Sequence, residues 1–413
     1  MTKLDSSLLN KYMFRLRFFI ISFLFIIFCG SGKEPYNPAV PYSQAWKDTE
    51  ILKCLLLQAP NCNGFLPSSN GVFFPEKISD TGQTHCYDTA TNIPCSDPTY
   101  PRQDSDFLNI PSARSYSGPS PHSVYTNDYT TLDMIRGLVW KTCVEGLSGP
   151  NCTIGSATSN SFSTAPSTCS ALNSLNAGAG YGGIQTWRLP SIYELARFAN
   201  AESPNGVDSV NFPGNPAMNF YSSTPYASNP STTGWYVQMT AGFFNQLNFG
   251  TGPYAVRCVS GTPLQSPSLT NNGNGTVSDN RTGLIWQTSG SSIGTWQQAL
   301  TGCTSLSLAG LSWRLPNVTE LHSIVDYSGS TPAINATFFP GAVSQYHWTS
   351  TTDRSNVTYA LALFFTNGLI GGNGKAASWY FRCVSDLKSY VHVYADPFQS
   401  KKLIELDIFR ASI

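Results

Sequence analysis

One unit is written twice in this chain of 413 residues, and that repetition constrains the fold more than any other feature. The first copy carries Asp133-Met134-Ile135-Arg136-Gly137-Leu138-Val139-Trp140-Lys141, and the second Asp279-Asn280-Arg281-Thr282-Gly283-Leu284-Ile285-Trp286-Gln287. A cysteine in a helical pattern follows in each, Cys169 and Cys303. Trp187-Arg188-Leu189-Pro190 then matches Trp313-Arg314-Leu315-Pro316, and Glu194-Leu195 matches Glu320-Leu321. Further on, Phe212-Pro213 matches Phe339-Pro340, and Tyr221-Ser222-Ser223-Thr224 matches Trp348-Thr349-Ser350-Thr351. Each copy closes on Arg-Cys-Val, at Arg257-Cys258-Val259 and Arg382-Cys383-Val384. One early and one late cysteine per copy make within-copy bonds the economical pairing, Cys169–Cys258 and Cys303–Cys383. Each would close a loop of about 80–90 residues, worth on the order of 4–5 kcal/mol if the bond acts through chain entropy.

The repeat also dictates local structure. Ser191-Ile192-Tyr193-Glu194 and Asn317-Val318-Thr319-Glu320 place an N-cap residue three positions before a glutamate, directly after a proline. This pattern starts a helix, and Thr295-Trp296-Gln297-Gln298 repeats it ahead of Cys303. The Arg-Cys-Val segments have strand composition. The expected class is therefore α+β, two tandem disulfide-pinned domains with short helices, short antiparallel strands and long loops. The organisation read from the chain is residues 80–261 as a first repeat domain, 262–270 as a Ser/Pro-rich linker and 271–386 as a second domain, arranged as beads on a string. Residues 387–413 follow as an extension of different composition.

Upstream, Lys11 to Arg17 is basic and Phe18 to Phe28 is an apolar run that ends at Cys29-Gly30-Ser31. The run has the length of a signal peptide's apolar stretch and is short of the roughly 20 residues that span a bilayer. Residues 1–28 read as a signal peptide and 29–79 as a low-complexity tether. Cys29 stands where a bacterial lipoprotein accepts its lipid, ordinary secretion and a retained anchor being the alternatives. The expected location is the cell envelope, as a lipoprotein of the outer-membrane surface, or else the secreted fraction. Setting Cys29 aside leaves ten of the 11 cysteines, an even number that reads as a disulfide framework in an exported protein. Neighbours pair as Cys54–Cys62, Cys86–Cys95 and Cys143–Cys152. No metal or cofactor is expected, because no CxxC, HxH or HExxH occurs and the five histidines are scattered. Without residues 1–28 the chain holds 20 Lys or Arg and 23 Asp or Glu. Binding of nucleic acid through bulk positive charge is thereby excluded.

In their order, these signposts resemble the C-terminal domain of Legionella collagen-like proteins. The second copy carries Gly275-Thr276-Val277-Ser278-Asp279, Thr282-Gly283-Leu284-Ile285-Trp286, Trp313-Arg314-Leu315-Pro316 and Arg382-Cys383-Val384, and the first adds Asp80-Thr81-Gly82-Gln83-Thr84-His85-Cys86-Tyr87-Asp88. The resemblance covers roughly residues 80–260 and 270–385. It implies a C-type lectin-like fold and a surface adhesive module, without enzymatic activity, that takes polysaccharide or host extracellular matrix as ligand. The same elements are similar to those of formylglycine-generating enzymes, so an oxidase relative is an alternative, as is a calcium-dependent lectin. The oxidase chemistry needs reactive thiols. The lectin's Glu-Pro-Asn loop signature is absent here.

Trp140, Trp187, Trp286 and Trp313 hold fixed places in both copies and read as core. Arg188 with Glu194, and Arg314 with Glu320, read as fold-building pairs rather than catalytic ones. Asp133 and Asp279 read as turn residues that bond backbone amides. Ligand contacts are expected in the stretches before each last strand. The candidates are His347, Trp348, Tyr359, Asn373 and Trp379 in the second copy, and Tyr221, Trp235 and Tyr236 in the first.

Overall fold

The computed structural model describes residues 77–386, apart from 204, 232, 240–253, 265, 291 and 330. Cys29, Cys54 and Cys62, with their proposed lipid and disulfide, lie outside the described residues, as does the extension from 387. The remaining four pairings are present, at Cys86–Cys95, Cys143–Cys152, Cys169–Cys258 and Cys303–Cys383.

The elements are short helices and small sheets, an α+β fold. A leading hairpin, β1 (Cys86–Tyr87) and β2 (Asn92–Ile93), precedes the first copy. That copy contains β3 (Tyr116–Pro121), β4 (Tyr129–Asp133), β5 (Leu138–Lys141), the minor pair β6 (Leu147–Ser148) and β7 (Ile154–Gly155), β8 (Asn219–Pro225), β9 (Gly234–Gln238) and β10 (Val259–Ser260). Its helices are α1 (Ala165–Ala171) and α2 (Ile192–Phe198). The second copy runs β11 (Leu269–Asn271), β12 (Thr276–Asp279), β13 (Leu284–Gln287), β14 (Ser292–Gly294), α3 (Trp296–Thr304), α4 (Val318–Ser323), β15 (Tyr346–Thr352), β16 (Tyr359–Phe364), β17 (Leu369–Gly374), β18 (Trp379–Phe381) and β19 (Val384–Asp386).

Each expected capping box is formed. Ser191, Thr295 and Asn317 accept from the amides of Glu194, Gln298 and Glu320, and those side chains bond back. Helices of six to nine residues are too short to persist on propensity alone, so the caps and the packing set their ends. The hairpins β4–β5 and β12–β13 turn on Asp133 and Asp279. Their carboxylates accept from the amides of Ile135, Arg136 and Arg281, while Gly137 and Gly283 take the left-handed φ of 68° and 78° that closes the turn.

The end of each copy returns to its beginning. Val259 pairs with Trp140 and Val384 with Trp286, so the last strand lies beside the tryptophan strand. Arg188 and Arg314, just before α2 and α4, exchange backbone bonds with the same valines. The sheet orders are β10-β5-β4-β3 in the first copy, and β11-β12-β13-β19 with β14-β18-β15-β16-β17 in the second. Trp140, Trp187, Trp286 and Trp313 are buried, and the indoles of Trp187 and Trp313 donate to the carbonyls of Tyr181 and Leu308 at 2.9 Å each.

The copies are not beads on a string. One continuous hydrophobic core runs from Ile192, Phe198 and Trp235 of the first copy to Leu321, Tyr327 and Leu363 of the second. Tyr193 donates to the Val325 carbonyl at 2.6 Å and meets the Tyr327 ring edge-on at 5.4 Å, and Trp235 meets Tyr327 at 4.6 Å. Two small-sheet domains bury too little apolar surface separately, and joining the cores removes more of it from water. The linker takes part, since Leu264 is buried and its amide bonds Glu194.

Residues 78–107, expected as the end of the tether and, from 80, the start of the first domain, reach across to the second. The Gln83 amide exchanges two hydrogen bonds with the Thr352 backbone, at 2.8 and 3.0 Å. Lys375 donates to the Asp88 carbonyl, and the Tyr100 ring lies 6.2 Å from Trp296. Asp104 accepts from Thr81 at 2.7 Å and from Thr351 at 2.6 Å.

Two expectations follow. Tyr327→Ala empties part of the shared core, at about 3–5 kcal/mol for a buried aromatic. Calorimetry should then show a single unfolding transition moving down as one, and a split into two transitions would mean that the copies melt separately. Asp104 supplies a pH test. Burial, with the charge of Asp80 adding to it, pushes its carboxyl up to about 7, while the threonine bonds pull the other way. Between pH 3.8 and about 7 the folded chain therefore holds a proton that the unfolded chain has lost, and stability falls as pH rises through that window. Asp104→Asn should lose this slope, so urea melts should show the variant gaining on the wild type from about pH 4 to about pH 8. Parallel pH profiles would rule the buried proton out.

Candidate functional site

The stretch from Tyr346 to Trp379, expected as long loops, is mostly sheet, and this decides the fate of the candidates. His347 and Trp348 are buried, so neither is a surface contact. His347 sits between Phe365 at 4.8 Å and Tyr380 at 5.6 Å, with Nδ1 bonded to the Gln345 carbonyl. Burial pulls its imidazole down to about 3, with the nearby Arg382 pushing the same way, which keeps it neutral. The Trp348 indole donates to the Gly294 carbonyl at 2.9 Å within a second core of Trp296, Trp313 and Leu315.

The first-copy candidates are corrected likewise. Tyr221, Trp235 and Tyr236 are all buried. Tyr221 and Tyr236 pack against Tyr254 at 4.9 and 4.5 Å, and Trp235 belongs to the shared core. Much of the expected contact stretch of this copy, 240–253, lies outside the described residues.

Three candidates keep solvent access. Tyr359 is 41% exposed, while Asn373 and Trp379 are half-buried. They do not form one patch. Strand alternation puts Tyr359 on the face of Leu361 and Leu363, and Asn373, opposite Ala360, on the other. Tyr359 also covers bare backbone, since a methyl on Gly372 would come 3.3 Å from its ring.

The structure instead assembles a row that sequence reasoning missed. Trp379, Tyr346 and Phe364 stand side by side across β18, β15 and β16, with ring centres 5.1 and 4.6 Å apart. All three are half-buried, and the Trp379 Nε1 is itself buried, without an acceptor among the described residues. Neither Tyr346 nor Phe364 carries a repeat signal in the sequence. Only the register, which sets Tyr346 opposite Phe364, brings them together.

The polar constellations near this sheet are structural. Arg188 grips Glu194 through two bonds of 2.8 and 2.6 Å, and Arg314 grips Glu320 at 2.6 and 2.5 Å. Both glutamates also complete a capping box, so their lone pairs are committed to the fold. The Lys375 ammonium lies 4.0 Å from the Trp296 ring centre, and burial pulls it down to about 7 against the attraction of Asp88.

Arg257 and Arg382, the residues before the last cysteines, were not singled out. Both are fully buried. Arg257 donates to the carbonyls of Lys141 and Thr142 and to Asn215, and lies over Phe212 at 5.3 Å. Arg382 donates to the carbonyls of Gln287 and Thr288 at 2.5 and 2.6 Å and lies over Phe339 at 4.6 Å. Their signal was the recurrence of Arg-Cys together with Phe-Pro, since the phenylalanine of each Phe-Pro is the ring beneath the guanidinium.

These features define a tandem-repeat protein of disulfide-pinned α+β units with a common core. Two segments, residues 129–260 and 275–385, match the Lcl C-terminal domain. They make up more than half of the chain, and the chain belongs to that family. No curated protein matches it.

The burial pattern is testable by paired substitutions. Trp348→Ala should cost about 3–5 kcal/mol as a core deletion, and half-buried Trp379→Ala less than half as much. Chemical denaturation compares them directly, and equal losses would place Trp379 in the core.

Proposed function

We propose that this protein is a non-enzymatic binding protein of the cell surface, an adhesin whose ligand is a polysaccharide or a component of host extracellular matrix. In this reading the two repeats are C-type lectin-like domains. Residues 1–28 direct export and a lipid on Cys29 holds the chain to the membrane. The observation that carries the reading is the row Trp379–Tyr346–Phe364. It joins the apolar surface of three half-buried rings to a phenol hydroxyl on a sheet that a disulfide holds in place. Aromatic groups of this kind meet the apolar faces of sugars while their polar ends meet hydroxyls. Four disulfides among the described residues fit an oxidising compartment.

The oxidase alternative is disfavoured, because the eight described cysteines are all bonded to one another and offer no thiolate.

A glycan and matrix array probed with the oxidised chain tests the reading. A ligand should be retained when a chelator is added. Trp379→Ala should weaken it by about 1–3 kcal/mol, up to roughly a hundredfold, with folding intact. Failure of every glycan and matrix component to bind, or binding indifferent to Trp379→Ala, would sink the proposal, and loss on chelation would favour the calcium-dependent lectin.

A further inference from the structure

The same surface exists on both copies, but the chain fills only one of them. Its equivalence is set by matching bonds. The Ser223 amide donates to the Pro190 carbonyl and the Ser350 amide to the Pro316 carbonyl, each at 2.8 Å. Thr224 Oγ1 accepts from the Ile192 amide and Thr351 Oγ1 from the Val318 amide, each at 3.0 Å. Beside them stand the matched ion pairs of Arg188 and Arg314.

On the second copy this surface is covered by the turn Asp104–Phe107. Thr351 gives its hydroxyl proton to Asp104, and the Phe107 ring lies 5.1 Å from the Arg314 guanidinium. Ser350, Thr351 and Thr352 are buried as a result, and the Arg314 side chain is 3% exposed. On the first copy nothing among the described residues corresponds to that turn. Ser223 is exposed, Thr224 is half-buried, and the Arg188 side chain is 25% exposed. The linker reaches this pair too, Leu264 bonding Glu194 and the Gly261 carbonyl accepting from Arg188 at 3.1 and 3.3 Å, yet the Arg188 side chain keeps its solvent-facing side. The hydroxyl proton of Thr224 has no acceptor among the described residues.

We propose that this open surface of the first copy, formed by Arg188, Ser223 and Thr224, is a docking site for a peptide segment of a partner protein, one that presents an aspartate and, three residues on, an aromatic ring. The chain's own Asp104 and Phe107 are the internal template. The partner's carboxylate accepts from Thr224, where Asp104 accepts from Thr351. Its ring lies over Arg188, where Phe107 lies over Arg314, and a cation facing a ring attracts it. A second copy of this chain is the less fitting occupant, because each molecule's own turn is already seated on its second copy.

The probe is a synthetic peptide of residues Thr99–Ile110, capped at both ends, titrated into the full oxidised chain. Saturable binding is expected, weakened at least about tenfold when the peptide carries Asp104→Ala or Phe107→Ala. On the protein, Ser223→Arg changes an exposed side chain and should block the site while leaving the melting temperature unchanged. Thr224→Val should weaken binding in the same sense. The proposal falls if about 1 mM peptide does not bind, or if binding survives Ser223→Arg, which would mean that the peptide sits elsewhere or displaces the internal turn. It falls equally if the peptide without its aspartate binds as well. Self-association of the unmodified chain that competes with the peptide would overturn the partner assignment in favour of a second copy.

Discussion

The Arg-Cys-Val strand is the constraint on which each copy is built. Three consecutive residues fasten three different things. The cysteine bonds a helix about 80–90 positions earlier, the valine pairs with the tryptophan strand, and the arginine donates to carbonyls at the end of that strand. A buried guanidinium is expensive unless hydrogen-bonded, and burial lowers the proton affinity of both Arg257 and Arg382. Two carbonyls and a phenylalanine face offset part of that expense for Arg382, whose shift has burial as its cause and whose Nε and Nη2 are buried without an acceptor among the described residues. Copies with so little regular structure need such a point, because loop-closure entropy is otherwise lost anew by every long connection.

Joining the copies solves the second problem of small sheets. Helices α2 and α4 pack at the junction, and their aromatic neighbours Tyr193, Trp235 and Tyr327 are shared between the copies. His322 is held there as a neutral ring, its Nε2 2.5 Å from the Tyr327 hydroxyl and its imidazole pulled down to about 3 by burial. An ordinary surface helix has become an interface helix in each copy. This is why α2 and α4 are buried nearly all round, although their sequences read only as capped starts after Trp-Arg-Leu-Pro.

What the sequence displayed and what it hid divide along physical lines. Caps, turns and within-copy disulfides are local or symmetric, so the spacing of Ser191 and Glu194, or the matched positions of Cys169 and Cys303, was enough to read them. Exposure is not local. Strand β15 is buried on both faces from His347 to Thr352, so it lacks the alternation of a half-exposed strand, and its aromatics resembled loop decoration. Trp348 and Trp379 have the same composition cue, and only the pairing of strands puts one in the core and the other at its rim. The arm 78–107 was hidden for a related reason. Its bonds to Thr351, Thr352 and Lys375 join residues more than two hundred positions apart, and the motifs that hold Gln83, Asp88 and Thr351 carry no sign of which residues they meet.

The arm also breaks the symmetry that the repeat sets up. Two copies of one unit begin with equal surfaces, and equal surfaces would offer equal contacts. Covering Arg314 and Thr351 while leaving Arg188 and Thr224 accessible makes the copies unequal without altering the signposts that fold them. The aromatic row of the second copy includes the Tyr346–Phe364 pair, two residues outside Trp348–Ala362, where the first copy has Asn219–Gln238 two residues outside Tyr221–Tyr236. The copies are thus unequal at that rim as well, with aromatic rings on one and amide side chains on the other. The interior differs too, since buried Tyr221 stands where the second copy has buried Trp348, while the Arg-Cys-Val strand that closes each unit is the same in both.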